Sequence, residues 1–285
     1  MKQLFFLTLL LSLGISSCRE VGPDINLKNN ENAIEDTTYV ESPVQSPEAR
    51  NVLIEEFTGV RCPNCPQGHV IIANIKAANP GRINSLSLHP INSLGAPYPF
   101  SPLDFRSQDA QDLFDYLGQI GLEPAAGINR KLFAGESKIL LDKSKWNAKV
   151  NDELSVAVPV NIVLESSYDS VLREVTIVTE LHYTQASSEQ HKLTIALTES
   201  NLVTPQLDGA TIDTFYVHKD ITRAFVTAKT GDLLSATIEP GRVIRKVFKK
   251  SLDAGWKPED MYVVAYVHEF ANSKQVLQSK EVELK

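Results

Sequence analysis

The spacing of hydrophobic positions divides the chain into four parts. A short apolar run covers residues 4–13, and a polar stretch follows to about Arg50. Strand-like and helix-like patterns then alternate as far as residue 150, and beyond it the apolar positions mostly recur with period two. This order predicts an α/β domain over 51–150 and an all-β domain over 151–285.

In the α/β part, apolar runs of strand length alternate with apolar positions at helical spacing. Asn79-Pro80-Gly81 ends the first helical pattern. The predicted strands are 52–57, 83–89, 124–133 and 138–141, and the predicted helices are 66–78, 107–118 and 143–150.

The C-terminal part shows β-branched runs between turn signals and few helical patterns. These runs are 155–164, 171–183, 192–198, 243–248, 261–267 and 276–284. Six or more short strands in succession are typical of a β-sandwich. The sequence therefore predicts a β-sandwich as the second domain.

The N-terminus carries an export signal. Lys2 precedes the apolar run, which is shorter than the about 20 residues that a membrane-spanning helix needs. Residues 13–18 read Leu-Gly-Ile-Ser-Ser-Cys and resemble a lipobox, whose cysteine receives lipid. We expect a signal peptide over 1–17, a lipid anchor on Cys18 and a flexible tether over 18–50 with too little apolar surface to fold. An ordinary signal peptide with an incidental Cys18 is the alternative.

Charge and cysteine count narrow the choice of partners. The net charge of −7 argues against nucleic acid, whose phosphates attract basic surfaces. The expected partners are the membrane, through lipid on Cys18, and envelope proteins with thiols or disulfides. Only three cysteines are present, so lipidation of Cys18 leaves Cys62 and Cys65 as one pair.

Cys62-Pro63-Asn64-Cys65 lies where a strand ends and a helix begins. The positive end of a helix dipole and the neighbouring Arg61 both favour a thiolate at Cys62. Cys65 is one helical turn further on, within reach for a disulfide. This pattern predicts an exposed nucleophile at Cys62 and a resolving thiol at Cys65.

Two other uses of the pair stay open. A structural disulfide would close a very short loop and add little stability. A zinc site would need two more ligands, for which His69 and His89 are candidates. A c-type haem is excluded, because Pro66 occupies the position where that motif requires histidine. We expect no cofactor.

The 53–57 strand, the CxxC turn, Pro124 before a strand and the hairpin at 133–136 together resemble the thioredoxin-like superfamily. The resemblance implies that Pro124 is a cis-proline that faces the cysteines and supports a substrate backbone. It also makes Glu56 the buried acid that assists proton transfer at the second cysteine. The loop 90–102 is an addition, and its Tyr98 and Phe100 either cover the cysteines or pack on their own domain.

The lipobox, the thioredoxin-like half and the β-rich half together resemble the 28-kDa-type outer-membrane lipoprotein family of the Bacteroidetes over nearly the whole chain, with further similarity at 215–223 and 263–269. This resemblance implies a cell-envelope protein anchored to the outer membrane, on either face. Two functions follow as hypotheses. One is thiol-disulfide exchange by Cys62, Cys65, Glu56 and Pro124. The other is a non-catalytic binding or adhesion lipoprotein, with His218 and Arg223 as candidate recognition residues.

Overall fold

The computed structural model describes residues 32–271 and 273–285. The predicted signal peptide, the lipidation site Cys18 and the first part of the tether lie outside the described residues. The helices are α1 Cys65–Ala78, α2 Gln108–Leu117 and α3 Trp146–Leu154, with 3-10 turns at Lys143–Lys145 and Pro258–Asp260. The strands are β1 Ala33–Val40, β2 Val52–Phe57, β3 Ile83–Leu88, β4 Ala125–Ile128, β5 Leu140–Asp142, β6 Val160–Asp169, β7 Glu174–Tyr183, β8 His191–Glu199, β9 Leu202–Val203, β10 Gln206–Asp208, β11 Thr211–Asp213, β12 Val217–His218, β13 Ile221–Phe225, β14 Asp232–Leu233, β15 Arg242–Ser251, β16 Met261–Glu269 and β17 Val276–Glu283.

The strands β2 and β3 pair in parallel, and α1 connects them. Every residue of both strands is buried, because helices cover both faces of this part of the sheet. On one face Ile54 packs with Ile72 of α1 and with Trp146 of α3. On the other face Phe57 packs with Phe114 of α2. The end of β2 is thereby fixed next to the start of α1.

The strand β4 pairs antiparallel with β2, and β5 pairs with β4. The predicted strand 124–133 is too long, because β4 ends at Ile128 and the next two residues adopt positive φ. This turn buries Arg130, which donates two hydrogen bonds to Glu55 (2.7 and 2.6 Å) and one to Tyr266 (2.8 Å). Because Tyr266 lies on β16, the turn binds the two halves of the chain together.

The sheet continues across the predicted domain boundary at residue 150. Ile221 of β13 pairs in parallel with Ser87 of β3, and the strand order is β17-β16-β8-β13-β3-β2-β4-β5, with β14 beside β8. The structure therefore differs from a division into 51–150 and 151–285, because strands from both ranges share one hydrogen-bonded sheet. Overall, the described chain is mostly β, with few helices and several sheets.

A second sheet of four strands has the order β1-β15-β7-β6. Its buried side chains, such as Ile177 and Phe248, share one core with Ile195 and Val263 of the large sheet. In β6 and β7 one face is buried against the large sheet and the other is not. Apolar and polar residues therefore alternate along these strands.

The prediction of a flexible tether up to residue 50 is wrong for residues 33–50. Residues 33–40 form β1, which pairs antiparallel with β15 along its whole length. Its side chains are nearly all exposed, so backbone hydrogen bonds and ion pairs such as Glu35 with Arg245 hold it, and an apolar pattern is not required. Further on, Arg50 is buried and forms an ion pair with Glu153 (3.0 Å).

Candidate functional site

The cysteine pair lies at the junction of β2 and α1. The chain leaves β2 at Phe57, and Cys65 is the first residue of α1. Pro66 lies in the first turn of α1, where a backbone N–H has no hydrogen-bond partner within the helix. The N–H group that proline lacks is therefore not needed there. Cys62 and Cys65 form a disulfide with sulfurs 2.12 Å apart, and the Cys65 amide donates to the Cys62 carbonyl (3.3 Å).

Pro124 lies beside this disulfide. The Glu123-Pro124 peptide bond is cis, and the Glu123 carbonyl oxygen is 3.4 Å from the Cys62 sulfur. Pro124 immediately precedes β4, the strand next to β2. The structure thus brings together two groups that are 62 residues apart in the sequence, Cys62 and Pro124.

Glu56 lies on β2, one residue before its end, and is 2% exposed. A methyl group added to Gly68 would lie 2.6 Å from the Glu56 Oε1 atom and 3.0 Å from the Pro124 ring. Gly68 is three residues after Cys65, so the carboxyl group lies about one helical turn from that cysteine. Burial, and then the nearby carboxylates of Asp220 and Glu123, raise the pKa of Glu56 well above its ordinary value. Burial therefore favours the protonated form of Glu56 over the carboxylate.

His69 connects Glu56 to a cavity. Its Nε2 atom lies 3.7 Å from Glu56 Oε2 and 3.1 Å from the Thr58 hydroxyl, and its Nδ1 atom lies 2.7 Å from the Tyr216 hydroxyl. Glu56, His69 and Tyr216 all line a cavity of about 510 Å³ between α1, β3 and the segment before β13. The cavity gives the interior of the site contact with solvent.

The disulfide itself is covered. Cys62 is 1% exposed and Cys65 is fully buried. Part of the cover is the hairpin β10–β11: Gln206 donates to the carbonyls of Gly59 and Cys62 (3.2 Å each), and Gly209 donates to the Pro63 carbonyl (3.0 Å). The prediction of an exposed Cys62 is wrong, because this hairpin from the C-terminal half lies on the CxxC turn.

The loop 90–102 forms another part of the surroundings. Arg61 does not project as a free cation beside Cys62. Its guanidinium donates to the carbonyls of Ala96 and Pro97 (2.8 and 2.7 Å) and lies over the ring of Tyr98. Tyr98 in turn stacks on Phe100, which is largely exposed. The loop 90–102 is therefore held against the CxxC turn through Arg61, the residue before Cys62.

The candidate recognition residues are not exposed. His218 is 2% exposed and lies 2.9 Å from the Thr204 hydroxyl, at the rear of the cavity. Arg223 is paired with Glu199 (3.2 Å) and lies over Trp256. In the part of the chain that the structure describes, no group of three histidine, cysteine or acidic side chains is arranged to hold a metal ion.

Two important groups of the site were missed from the sequence. Gln206 carried no signal, since a lone glutamine 144 residues after Cys62 cannot be recognised as its neighbour. His69 was considered only as a zinc ligand. Its position four residues after Cys65 places both side chains on one face of α1, and that spacing could have suggested a role beside the cysteines.

The fold and site define a mostly β protein with a buried CxxC disulfide between a strand and a helix. Residues 111–285 match the model of the family of outer membrane protein Omp28. The match covers more than half of the chain, and the chain belongs to this family. Membership supports a place in the cell envelope. No curated protein sequence matches the chain.

Two solved structures are similar. One is HBP35 of Porphyromonas gingivalis, with a TM-score of 0.67 and 19% identity over 84% of this chain and 77% of that chain. The other is protein AGR_C_4864 from Agrobacterium tumefaciens, with a TM-score of 0.51 and 13% identity over 83% of this chain and 96% of that chain. At these identities the likeness concerns the fold. Among the described residues, no helix is long and apolar enough to cross a membrane.

Proposed function

We propose that this protein is a cell-envelope lipoprotein whose Cys62–Cys65 pair exchanges disulfides with other envelope proteins. One observation carries the proposal: the residue before Pro124 contacts the Cys62 sulfur, and Pro124 and the buried acid Glu56 both lie against Gly68, one helical turn after Cys65. A disulfide that served stability alone would not need a buried acid against the helix that carries it.

The arrangement of β2, α1 and β3, with β4, β5 and α3 following, supports a thioredoxin-like unit in the N-terminal half. The packing of the four-stranded sheet on the large sheet supports a β-sandwich in the C-terminal half. The shared sheet makes these two units one body, which brings the β10–β11 hairpin onto the cysteines.

In the proposed reaction a partner thiolate attacks the Cys62 sulfur, and the Cys62–Cys65 bond breaks. Cys65 leaves as a thiolate and takes the proton of Glu56. A second thiol of the partner then releases Cys62, so the partner is oxidised and the pair is reduced. Attack at Cys62 requires residues around the pair to move, because Cys62 is 1% exposed, and we expect the β10–β11 hairpin, which is bonded to the CxxC turn, to be the part that moves.

A purified-protein assay tests this function. The oxidised chain is mixed with a reduced dicysteine peptide, and disulfide transfer is followed by mass spectrometry after acid quenching. We expect transfer faster than from oxidised glutathione at equal concentration, and none from the Cys62→Ser, Cys65→Ser double variant. Transfer no faster than from glutathione would contradict the proposal.

A non-catalytic binding lipoprotein is the second candidate, and the burial of both cysteines favours it. In that case the double variant keeps its cellular phenotype. Both candidate functions are compatible with a lipid anchor on Cys18. A Cys18→Ser variant should leave the membrane fraction, and a variant that stays membrane-bound would contradict the anchor.

A further inference from the structure

Disulfide exchange at the pair needs a proton path. When the disulfide is reduced, Cys65 gains a proton, and when it forms again, that proton must leave. Glu56 is the nearby acid, but it is 2% exposed, and its Oε1 atom points towards Gly68 of α1. Its Oε1 atom has no hydrogen-bond partner within the described part of the chain. Proton exchange between Glu56 and water therefore goes through the cavity that Glu56 lines together with His69 and Tyr216.

His69 lies beside Glu56 at the wall of the cavity. Its two ring nitrogens contact opposite sides: Nε2 faces Glu56 Oε2 at 3.7 Å, and Nδ1 is 2.7 Å from the Tyr216 hydroxyl. The His69 side chain is 18% exposed, and both His69 and Tyr216 line the cavity. A contact of 3.7 Å is long for proton transfer, but such contacts commonly shorten in the reacting complex.

Burial keeps the ring of His69 neutral. His69 faces Glu56 on β2, Tyr216 and His218 near β12, and Asp220 before β13. Burial, reinforced by His218 and opposed by Asp220, lowers the pKa of His69 to about 3. A neutral imidazole has one donor and one acceptor nitrogen, which is what a proton relay needs.

We propose that His69, together with Tyr216, carries protons between Glu56 and the water of the cavity. This inference rests on the proposed disulfide exchange. On reduction, Glu56 gives its proton to the Cys65 thiolate, and His69 Nε2–H restores it. At the same time His69 Nδ1 takes the Tyr216 hydroxyl proton, which cavity water replaces. Formation of the disulfide reverses each transfer, so one full cycle restores the tautomer.

Chemical rescue tests the relay in the full mature chain. His69→Ala leaves a space that opens to the cavity, so added imidazole can occupy it. We expect His69→Ala to slow disulfide transfer to the dicysteine peptide about 100-fold, at the lower end of the range for lost acid–base assistance. Imidazole should restore most of the rate, whereas pyrazole, a far weaker base of similar size, should not.

Two further variants separate the relay from a structural effect. His191→Ala removes another buried imidazole, which is bonded to Tyr183 of the four-stranded sheet (3.0 Å), and it should leave the rate unchanged. His69→Gln keeps hydrogen-bonding groups towards Thr58 and Tyr216 but cannot relay a proton, so it should be as slow as His69→Ala.

The outcomes distinguish this inference from the proposed function. A wild-type rate in either His69 variant would overturn the relay and leave the exchange function intact. Equal rescue by pyrazole would also overturn it, since filling the space would then suffice. Absence of transfer by the wild-type chain would overturn both proposals.

Discussion

The cover over the disulfide gives a quantitative prediction for Gln206→Ala. Gln206 is fully buried and donates to the carbonyls of Gly59 and Cys62. Each carbonyl keeps one backbone donor, namely the Cys62 and Cys65 amides, so the loss of each glutamine bond costs about 0.5–1 kcal/mol. The closed position of the hairpin is thus weakened by about 1–2 kcal/mol.

Reduction of the disulfide must pass through the open form, because Cys62 is 1% exposed. If closing is fast, the rate is proportional to the population of open molecules, and about 1–2 kcal/mol raises that population roughly 5- to 30-fold. The assay is the rate of disulfide reduction by a phosphine under native conditions, quenched by alkylation and read by mass. We expect Gln206→Ala to be faster by this factor.

Gln278→Ala is the matched control. Gln278 is 1% exposed, accepts from the Asn51 amide (2.8 Å) and donates to the Ala49 carbonyl (3.2 Å), away from the cysteines. It should lower the free energy of unfolding comparably without changing the reduction rate. A reduction rate of Gln206→Ala equal to that of the wild type would refute the claim that the hairpin covers the disulfide. Equal acceleration by both variants would show that global unfolding exposes the disulfide.

Two further predictions concern stability. Arg130→Met should lower the free energy of unfolding by about 3–5 kcal/mol, because it leaves the buried Glu55 without its cation. Urea titrations measure this change. An unchanged unfolding midpoint would contradict the role of Arg130 in holding the two halves of the chain together. Burial raises the pKa of Glu281 from its ordinary value of 4.5 to about 7, so the folded state binds that proton more tightly and loses stability as pH rises through this window. Glu281→Gln should therefore be more stable than the wild type at pH 8 and equal to it at pH 4, and a gain of the same size at both pH values would contradict the assignment.

Elements with strong local signals could be predicted from the sequence. The strand β2 has the predicted bounds, because it is apolar or buried throughout and Thr58-Gly59 ends it. The helix α1 begins one residue before the predicted start and ends at the predicted residue, before Asn79-Pro80. Local periodicity is sufficient to predict an element when burial is regular along its length.

Features that depend on distant partners could not be predicted. The strand β1 is polar because only its backbone engages β15, so it resembles a disordered segment in the sequence. The shared sheet depends on one short parallel contact between β13 and β3. For the site, the sequence indicated the cysteines, Glu56 and Pro124, but the covering Gln206 comes from a hairpin that no local pattern connects to them.

The central claim is that the Cys62–Cys65 pair exchanges disulfides with envelope proteins, and trapping in living cells tests it most directly. A Cys65→Ser chain is expressed in its native host, cells are quenched with acid and alkylated, and complexes are separated without reductant. We predict covalent adducts through Cys62 that reductant releases and that the Cys62→Ser, Cys65→Ser variant does not form. Absence of such adducts from Cys65→Ser cells at normal expression would contradict the claim.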